Sequence, residues 1–440
     1  MRLQLIALLL VAFAAPARAD TGSNGSGDDD TPTADDMRDV LGGEHAQNAR
    51  ATDDAPAEKP DAQDEEPATG TIRGGAYADT DHTTVLRTIG IIGKTFGRWH
   101  LDGSFTVDAV TSASIDVRTS PALSKVDTVT SASGISTTTG GQMHDTRYQG
   151  TGGLGWKDSA GHAFNATTAL ASETDYKSIS GGLNGSYDIL DRNATLLGGL
   201  TVTDSWVTSV LDPSLHRKLF ALGWSAGIAR VLTRNDALRL RYDGKASEGY
   251  QASPYRSVRF GNWTTMTNAD HQIIFDNTIG SPDGLPERVP GSRVSHALTL
   301  EWVHSLAPGI GLHPSLRVAR DTWGVTSTTA AVDLRVARAS WRLDAGYRFY
   351  RQWGADFFES KYVMDPSAYR YYTSDKELGQ QVGHLVTFDI AAVLIDKEQE
   401  SDSRLLLDAR VDLFRYSYPG FLLLPSRSSA FVELGLLWEL

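Results

Sequence analysis

The pentapeptide Gly223-Trp224-Ser225-Ala226-Gly227 has the G-x-S-x-G spacing that, in a nucleophile elbow, exposes a serine for acyl transfer. That chemistry needs a sharp strand-to-helix turn at the serine, with a histidine and a carboxylate in reach. The flanking residues argue against it. Phe220, Leu222, Trp224, Ala226 and Ile228 are apolar at every second position with no helical pattern after them, so Ser225 is expected inside a strand, sharing a face with Gly223 and Gly227. His100, His162, His296, His304, His313 and His384 occur singly, none at ligand spacing from a second histidine or a carboxylate. No catalytic residue, metal or cofactor is therefore assigned, and the chain reads as a non-enzyme.

The charged residues form a more coherent set. Arg239, Arg241, Asp321, Arg335, Arg342, Asp344 and Arg348 all occupy the polar positions of segments that alternate apolar and polar. Such side chains can neutralise one another across an interior or set a field that sorts solutes by charge. Asp108 and Asp116 carry similar charge at and beyond the end of another alternating segment. Tyr255, Arg256 and Arg259 lie in a long connection rich in Pro, Arg, Tyr and Trp, which could fold inward and narrow a mouth or serve surface recognition. These twelve residues are the candidate lumen and mouth site.

The elements that position them are strands. From Trp99 to Ala109 apolar or small residues (Trp99, Leu101, Gly103, Phe105, Val107, Ala109) alternate with His100, Asp102, Ser104, Thr106 and Asp108. The same period-two pattern recurs along the chain. Sixteen segments are expected, at 69–78, 82–94, 98–111, 145–157, 162–173, 176–189, 194–207, 217–231, 236–246, 292–305, 310–321, 325–336, 341–352, 380–394, 403–416 and 428–440. At ~3.3 Å per residue, tilted strands of this length reach across an apolar band of ~25 Å. A charge facing lipid near the midplane costs ~2 to 4 kcal/mol, so the charged faces must turn to the lumen. Connections after even-numbered strands are short, whereas the long ones, 112–144, 208–216, 247–291, 353–379 and 417–427, all follow odd-numbered strands. That asymmetry is expected of an outer-membrane barrel with its short turns in the periplasm. Trp99, Trp156, Trp341 and Trp438 fall near the short-turn ends, as an aromatic girdle requires. The arms Val110 to Ser114 and Val129 to Ser133 repeat one phrase and could pair as a hairpin.

Residues 1–19 read as a signal peptide: Arg2, an apolar run from Leu5 to Ala15, and a small-x-small site at Ala17-Arg18-Ala19. The chain has no cysteine, which excludes lipoprotein anchoring and disulfides, and after the signal no apolar run approaches the ~20 residues of a membrane helix. Residues 20–68 hold 15 acidic residues against three basic ones and are expected to be a disordered acidic tail. The rest of the mature chain carries 39 acids and 36 bases, so the net charge of −13 belongs largely to the tail. No basic stripe suggests nucleic acid. The reading is an all-β, closed antiparallel transmembrane β-barrel of about 16 strands over 69–440, preceded by that tail.

Five phrases add a family resemblance: Val107 to Val117, Ser253-Pro254-Tyr255-Arg256-Ser257-Val258-Arg259, Asp321-Thr322-Trp323-Gly324, Gly346 to Gln352, and Thr373-Ser374-Asp375-Lys376-Glu377-Leu378. From about residue 70 onward the chain resembles, in order, a bacterial family known as domain of unknown function number three thousand five hundred and seventy. The resemblance implies an outer-membrane barrel without assigned activity and brings no catalytic residues. The acidic tail reads as peculiar to this chain. Most of the phrases fall at strand ends or loops on the long-loop side, where they could meet around the mouth.

Two functions are expected to compete. The first is a passive or gated pore with a charged lumen for small polar solutes, in the outer membrane of a Gram-negative bacterium. The alternative is a loop-plugged barrel acting as a binding or assembly module for a periplasmic or extracellular partner. The expected partners are outer-membrane lipid, the barrel-insertion machinery, and a periplasmic partner of the acidic tail. Val432, Leu434, Leu436, Trp438 and Leu440 alternate to the carboxyl terminus and resemble an insertion signal, apart from the terminal leucine where such signals end in an aromatic residue.

Overall fold

The computed structural model describes residues 68–112, 135–136, 142–190, 193–209, 212–267, 273–395 and 404–439. Within them lie sixteen long strands: β1 (Thr69–Asp79), β2 (Thr83–Phe96), β3 (Trp99–Ser112), β4 (Gln142–Lys157), β5 (Ala163–Ser172), β6 (Tyr176–Ile189), β7 (Ala194–Val207), β8 (Arg217–Val231), β9 (Asp236–Gly249), β10 (Ser292–Ala307), β11 (Ile310–Asp321), β12 (Thr326–Ala337), β13 (Trp341–Trp353), β14 (Gln381–Ile395), β15 (Arg404–Ser417) and β16 (Ser426–Glu439). All sixteen expected segments are present, with ends within three residues of those read from the alternation. Each strand pairs antiparallel with its neighbour in sequence, and β1 pairs with β16 from Thr69 opposite Glu439 to Asp79 opposite Ser429. The barrel is closed, which removes the free edges an open sheet would expose. The acidic tail and residues 113–134, which contain Asp116 and the repeated phrase, lie outside the described residues; Ile135–Ser136 pairs with the first residues of β4.

Alternation decides the faces. On β3 Leu101 and Phe105 are 55% and 52% exposed, while Thr106 and Asp108 are 1% and 9% exposed. The greasy residues point out and the polar ones in. The outer wall repeats this with Phe220 and Ile228, Leu298 and Leu300, and Phe388 and Ile390. A soluble protein cannot leave so continuous an apolar belt in water, whereas a bilayer covers it without cost.

Short hairpins join the strands at one end. Gly97 (φ 59°) turns β2 into β3, and Gly309 (φ 71°) turns β10 into β11. At Gly309 a Cβ would also stand 2.4 Å from the Ala337 carbonyl oxygen, so glycine is required for space as well as for conformation. Three corners share another device. Asp79, Asp158 and Asp321 each accept, through Oδ1, the backbone N–H groups two and four residues ahead, at 2.9 to 3.0 Å. The carboxylate replaces the sheet partners that the chain loses as it turns.

The closing seam depends on small residues in β1. A Cβ on Gly70 would fall 2.2 Å from the Trp438 indole, and one on Gly75 would fall 2.8 Å from the Phe431 ring. The aromatic rings of β16 thus lie flat over a strand that offers no side chain there.

At the opposite end the long connections fold onto one another. Val258, Phe260, Tyr362 and Tyr372 form one buried cluster; Trp323, Val325, Ala355 and Leu378 form a second; Tyr418 and Phe421 form a third. These residues come from the connections after β9, β11, β13 and β15, so the loops make a cap with a core of its own. The Tyr362 hydroxyl accepts the Thr373 N–H at 3.0 Å and donates to the Phe357 carbonyl at 2.6 Å, fixing the 354–380 segment on itself.

Candidate functional site

The register sorts inward side chains into rows, and two rows on opposite walls differ sharply. One runs Arg335, Asp344, Asp389, Arg410, Glu433 across β12 to β16. Arg335 Nε lies 2.6 Å from Asp344; Arg342, one row away, reaches Asp344 at 2.8 Å and Asp389 at 3.1 Å. Arg410 pairs with Asp412 at 2.9 Å. Arg73 crosses the seam to Asp408 at 3.0 Å and Glu433 at 3.3 Å. Gly435 lies between them in the same row, where a Cβ would collide with the Asp408 carboxylate and the Arg73 stem. This wall is a ladder in which arginines and carboxylates neutralise one another.

The other row runs Asp102, Gly153, Thr167, Gly182, Thr201, Gly223, Lys245 across β3 to β9. Glycine and threonine alternate between a carboxylate and an ammonium. The row beside it is Thr151, Ala169, Ser180, Thr203, Ala221, in which the Ser180 and Thr203 hydroxyls pair at 2.9 Å. Because nothing larger than threonine projects between Asp102 and Lys245, a cavity of about 400 Å³ opens against this wall. Ser225 sits one row further along, inside a strand that runs unbroken from Arg217 to Val231; Asp243 stands opposite it in the register, and among the described residues it makes no hydrogen bond to a histidine or carboxylate. The strand-to-helix turn of a nucleophile elbow is absent there.

The candidate residues fall in three places. Arg335, Arg342 and Asp344 belong to the ladder, toward the short-turn end, with Arg239 paired to Glu301 and Arg241 to Asp243 (2.8 Å) on β9 and β10, beyond β11. Asp321 and Arg348 lie at the cap end of the wall: Asp321 holds Arg293 through a 2.6 Å hydrogen bond, and Arg348 is buried against the Tyr350 ring. Arg256 and Tyr255 are in the cap. Arg259 is inside the cap too, stacked 4.0 Å from the Phe275 centroid and donating to the Pro282 carbonyl. Burial pushes its guanidinium down to about 10. Asp108 is on the wall beneath the cap, opposite Arg87 and Arg147 in the register.

Side chains fasten the cap to the barrel at two points and join two of its own loops at a third. Tyr255 donates its hydroxyl to Asp175 in the β5–β6 turn. Arg256 lies 2.8 Å from Asp375 and 3.5 Å from Glu287, two carboxylates that are only 3% and 2% exposed. Arg427 on β16 lies 3.9 Å from both Glu377 of the cap and Asp79 of β1. The links span the mouth from β5–β6 to β16–β1. Around the first link burial pushes the Glu173 carboxyl up to about 7, with Asp145, Asp175 and Asp108 adding repulsion and Arg147 opposing it. Burial likewise pushes Asp175 up to about 6, against the Tyr255 hydrogen bond and aided by Asp145. Burial also raises Glu287, partly offset by Arg256.

Four of the five resembling phrases meet in this cap. Arg256 of one phrase pairs with Asp375 of another, and Ser374 Oγ donates to the Ser257 carbonyl at 3.3 Å. Gln352 donates to the Glu377 and Gly379 carbonyls at 2.7 and 2.8 Å. The Arg293 guanidinium lies 4.7 Å from the Trp323 centroid, whose indole N–H donates to the Ser292 carbonyl. Sequence reasoning missed Asp175, Glu287, Asp375 and Arg427. Asp375 lay in a quoted phrase and could have been paired with Arg256 by charge alone; Asp175 and Glu287 gave no local signal.

Comparison with known proteins follows this geometry. The model of a family described as "Protein of unknown function (DUF3570)" matches residues 40–223 and 215–391. The match begins inside the acidic segment, so residues 40–68 are shared with the family rather than peculiar to this chain. No curated protein matches. Among solved structures, the chain is similar to a bacterial polysaccharide outer membrane secretin, with 10% identity over 86% of this chain and 100% of that one and a TM-score of 0.46. It is also similar to the toluene transporter TodX of Pseudomonas putida (11% identity, 87% and 90% covered, TM-score 0.34). A third is the siderophore receptor PirA of Pseudomonas aeruginosa (10% identity, 80% and 57% covered, TM-score 0.37).

Proposed function

Because the chain belongs to the family described as "Protein of unknown function (DUF3570)", whose description names no activity, we propose a function from its own geometry: a gated pore for small polar solutes in the outer membrane of a Gram-negative bacterium. The observation that carries this reading is a cavity-bearing polar lumen beneath a cap that is fastened across the mouth by side-chain pairs. Discrete ionic and hydrogen-bonded links to the wall can release one at a time. Both ends of the barrel chain, Thr69 and Glu439, lie at the short-turn end, which we place in the periplasm together with the acidic segment.

One observation favours the second reading. Val363, Met364 and Leu422 are 55% to 60% exposed on the cap, away from the lipid belt, and suit a docked partner. Purified protein in planar bilayers separates the two. Stable conductance steps are expected of the pore, and persistent silence, with Arg256→Ala as well as with the native chain, would sink it in favour of the binding module.

A further inference from the structure

The two halves of the lumen are not equivalent. Across β12 to β16 successive register positions hold arginines and carboxylates in pairs, so this wall has little net charge to offer an ion and is filled by long side chains. Across β4 to β8 the middle positions carry no charge, and glycine alternates with threonine in one continuous row. The 400 Å³ cavity lies against that second wall, touching Asp102, Thr167, Gly182, Thr201, Gly223 and Lys245. Its two charges stand at opposite ends of the row with opposite sign, so they cancel over the cavity as a whole.

We propose, on the premise that the barrel is a pore, that the Gly/Thr row is its translocation path and that the path takes uncharged polyhydroxylated solutes of saccharide size. A threonine hydroxyl donates and accepts, so a row of them can exchange hydrogen bonds with sugar hydroxyls at little net cost relative to water. An ion leaving bulk water for this wall finds no counter-charge in its middle, and loses hydration without return. The glycines let their neighbours lie flat against the wall and out of the trough: a Cβ on Gly182 would stand 2.6 Å from the Thr167 hydroxyl, and one on Gly153 would meet the Asp102 carboxylate. Any larger side chain in the row would narrow the trough directly.

Full-length protein in liposomes tests this by swelling rate in glucose and sucrose against glucosamine hydrochloride and sodium gluconate. The neutral sugars are expected to enter at least threefold faster than the charged analogues of matched size. Thr201→Trp should slow sugar entry at least fivefold, while Ala331→Trp, equal bulk on the ladder wall, should stay within twofold of the native rate. Thr167→Val with Thr201→Val keeps shape and removes the hydroxyls; it should slow sugars at least twofold and covers the case in which the tryptophan variant fails to fold. Charged analogues entering as fast as sugars, or sugar flux indifferent to every change in the row, would overturn the path while leaving the pore. Absence of all flux, in the native chain and in Arg256→Ala alike, would overturn both.

Discussion

Arg256→Ala is the sharpest perturbation of the cap. Its guanidinium stands 2.8 Å from Asp375 and 3.5 Å from Glu287, and both carboxylates are almost wholly buried. Removing the cation leaves two buried carboxylates facing each other without its charge, held by the Thr373, Ser253 and Glu377 donors. Breaking a buried pair in this way costs about 3 to 5 kcal/mol, which at about 1.4 kcal/mol per factor of ten shifts an equilibrium at least a hundredfold. The closed cap should therefore give way to a released one. The assay is twofold: proteinase K cleavage between residues 250 and 291 in liposomes, and open probability in planar bilayers. Both should rise at least tenfold. The charge argument makes a further demand. In an Asp375→Asn, Glu287→Gln background the two buried carboxylates are gone and the guanidinium itself has lost their charge, so Arg256→Ala should loosen the cap by less than about 1 kcal/mol or tighten it. A cap that stays protease-resistant in Arg256→Ala, or one loosened equally in both backgrounds, refutes the reasoning.

Two further outcomes are expected. Glu173 and Asp175 have carboxyls raised by burial to about 7 and about 6 in the closed form, so the closed form binds protons more tightly than a solvated open one. The penalty is absent below about pH 4, accumulates as pH rises, and is complete above about pH 7, reaching about 3 kcal/mol for Asp175; open probability should climb between pH 5 and pH 7.5, and Asp175→Asn should flatten the climb. Gly70→Val places a side chain where the Trp438 indole lies, so the β1–β16 seam should lose about 2 kcal/mol in urea unfolding, with Trp438→Ala restoring part of it in the double variant.

How much of this was legible follows from the range of the forces involved. Strand 69–78 is rich in glycine and gives a weak alternating signal; the structure shows why, since Gly70 and Gly75 exist to receive rings from β16 at the far end of the chain. The strand ends around Tyr176–Ile189 and Ala194–Val207 were readable to the residue because the polar run Asp191-Arg192-Asn193 separates the two segments. Tyr255 and Arg256 were suspected from composition, yet their partners Asp175, Glu287 and Asp375 lie 80, 31 and 119 positions away. No spacing rule connects them.

Sequence by itself determined the barrel: strand number, the face of each residue, and the segregation of long from short connections. It could do so because a bilayer imposes a period of two on each strand separately, and that period is local. Only the tertiary structure decided that the lumen has a charged wall and a neutral one, that the loops share a core, and which arginine meets which carboxylate. Those facts depend on register around a closed ring. Asp102, Thr167, Thr201 and Lys245 become one row only when seven strands stand side by side, and Arg73 meets Asp408 and Glu433 only because the last strands return to the first.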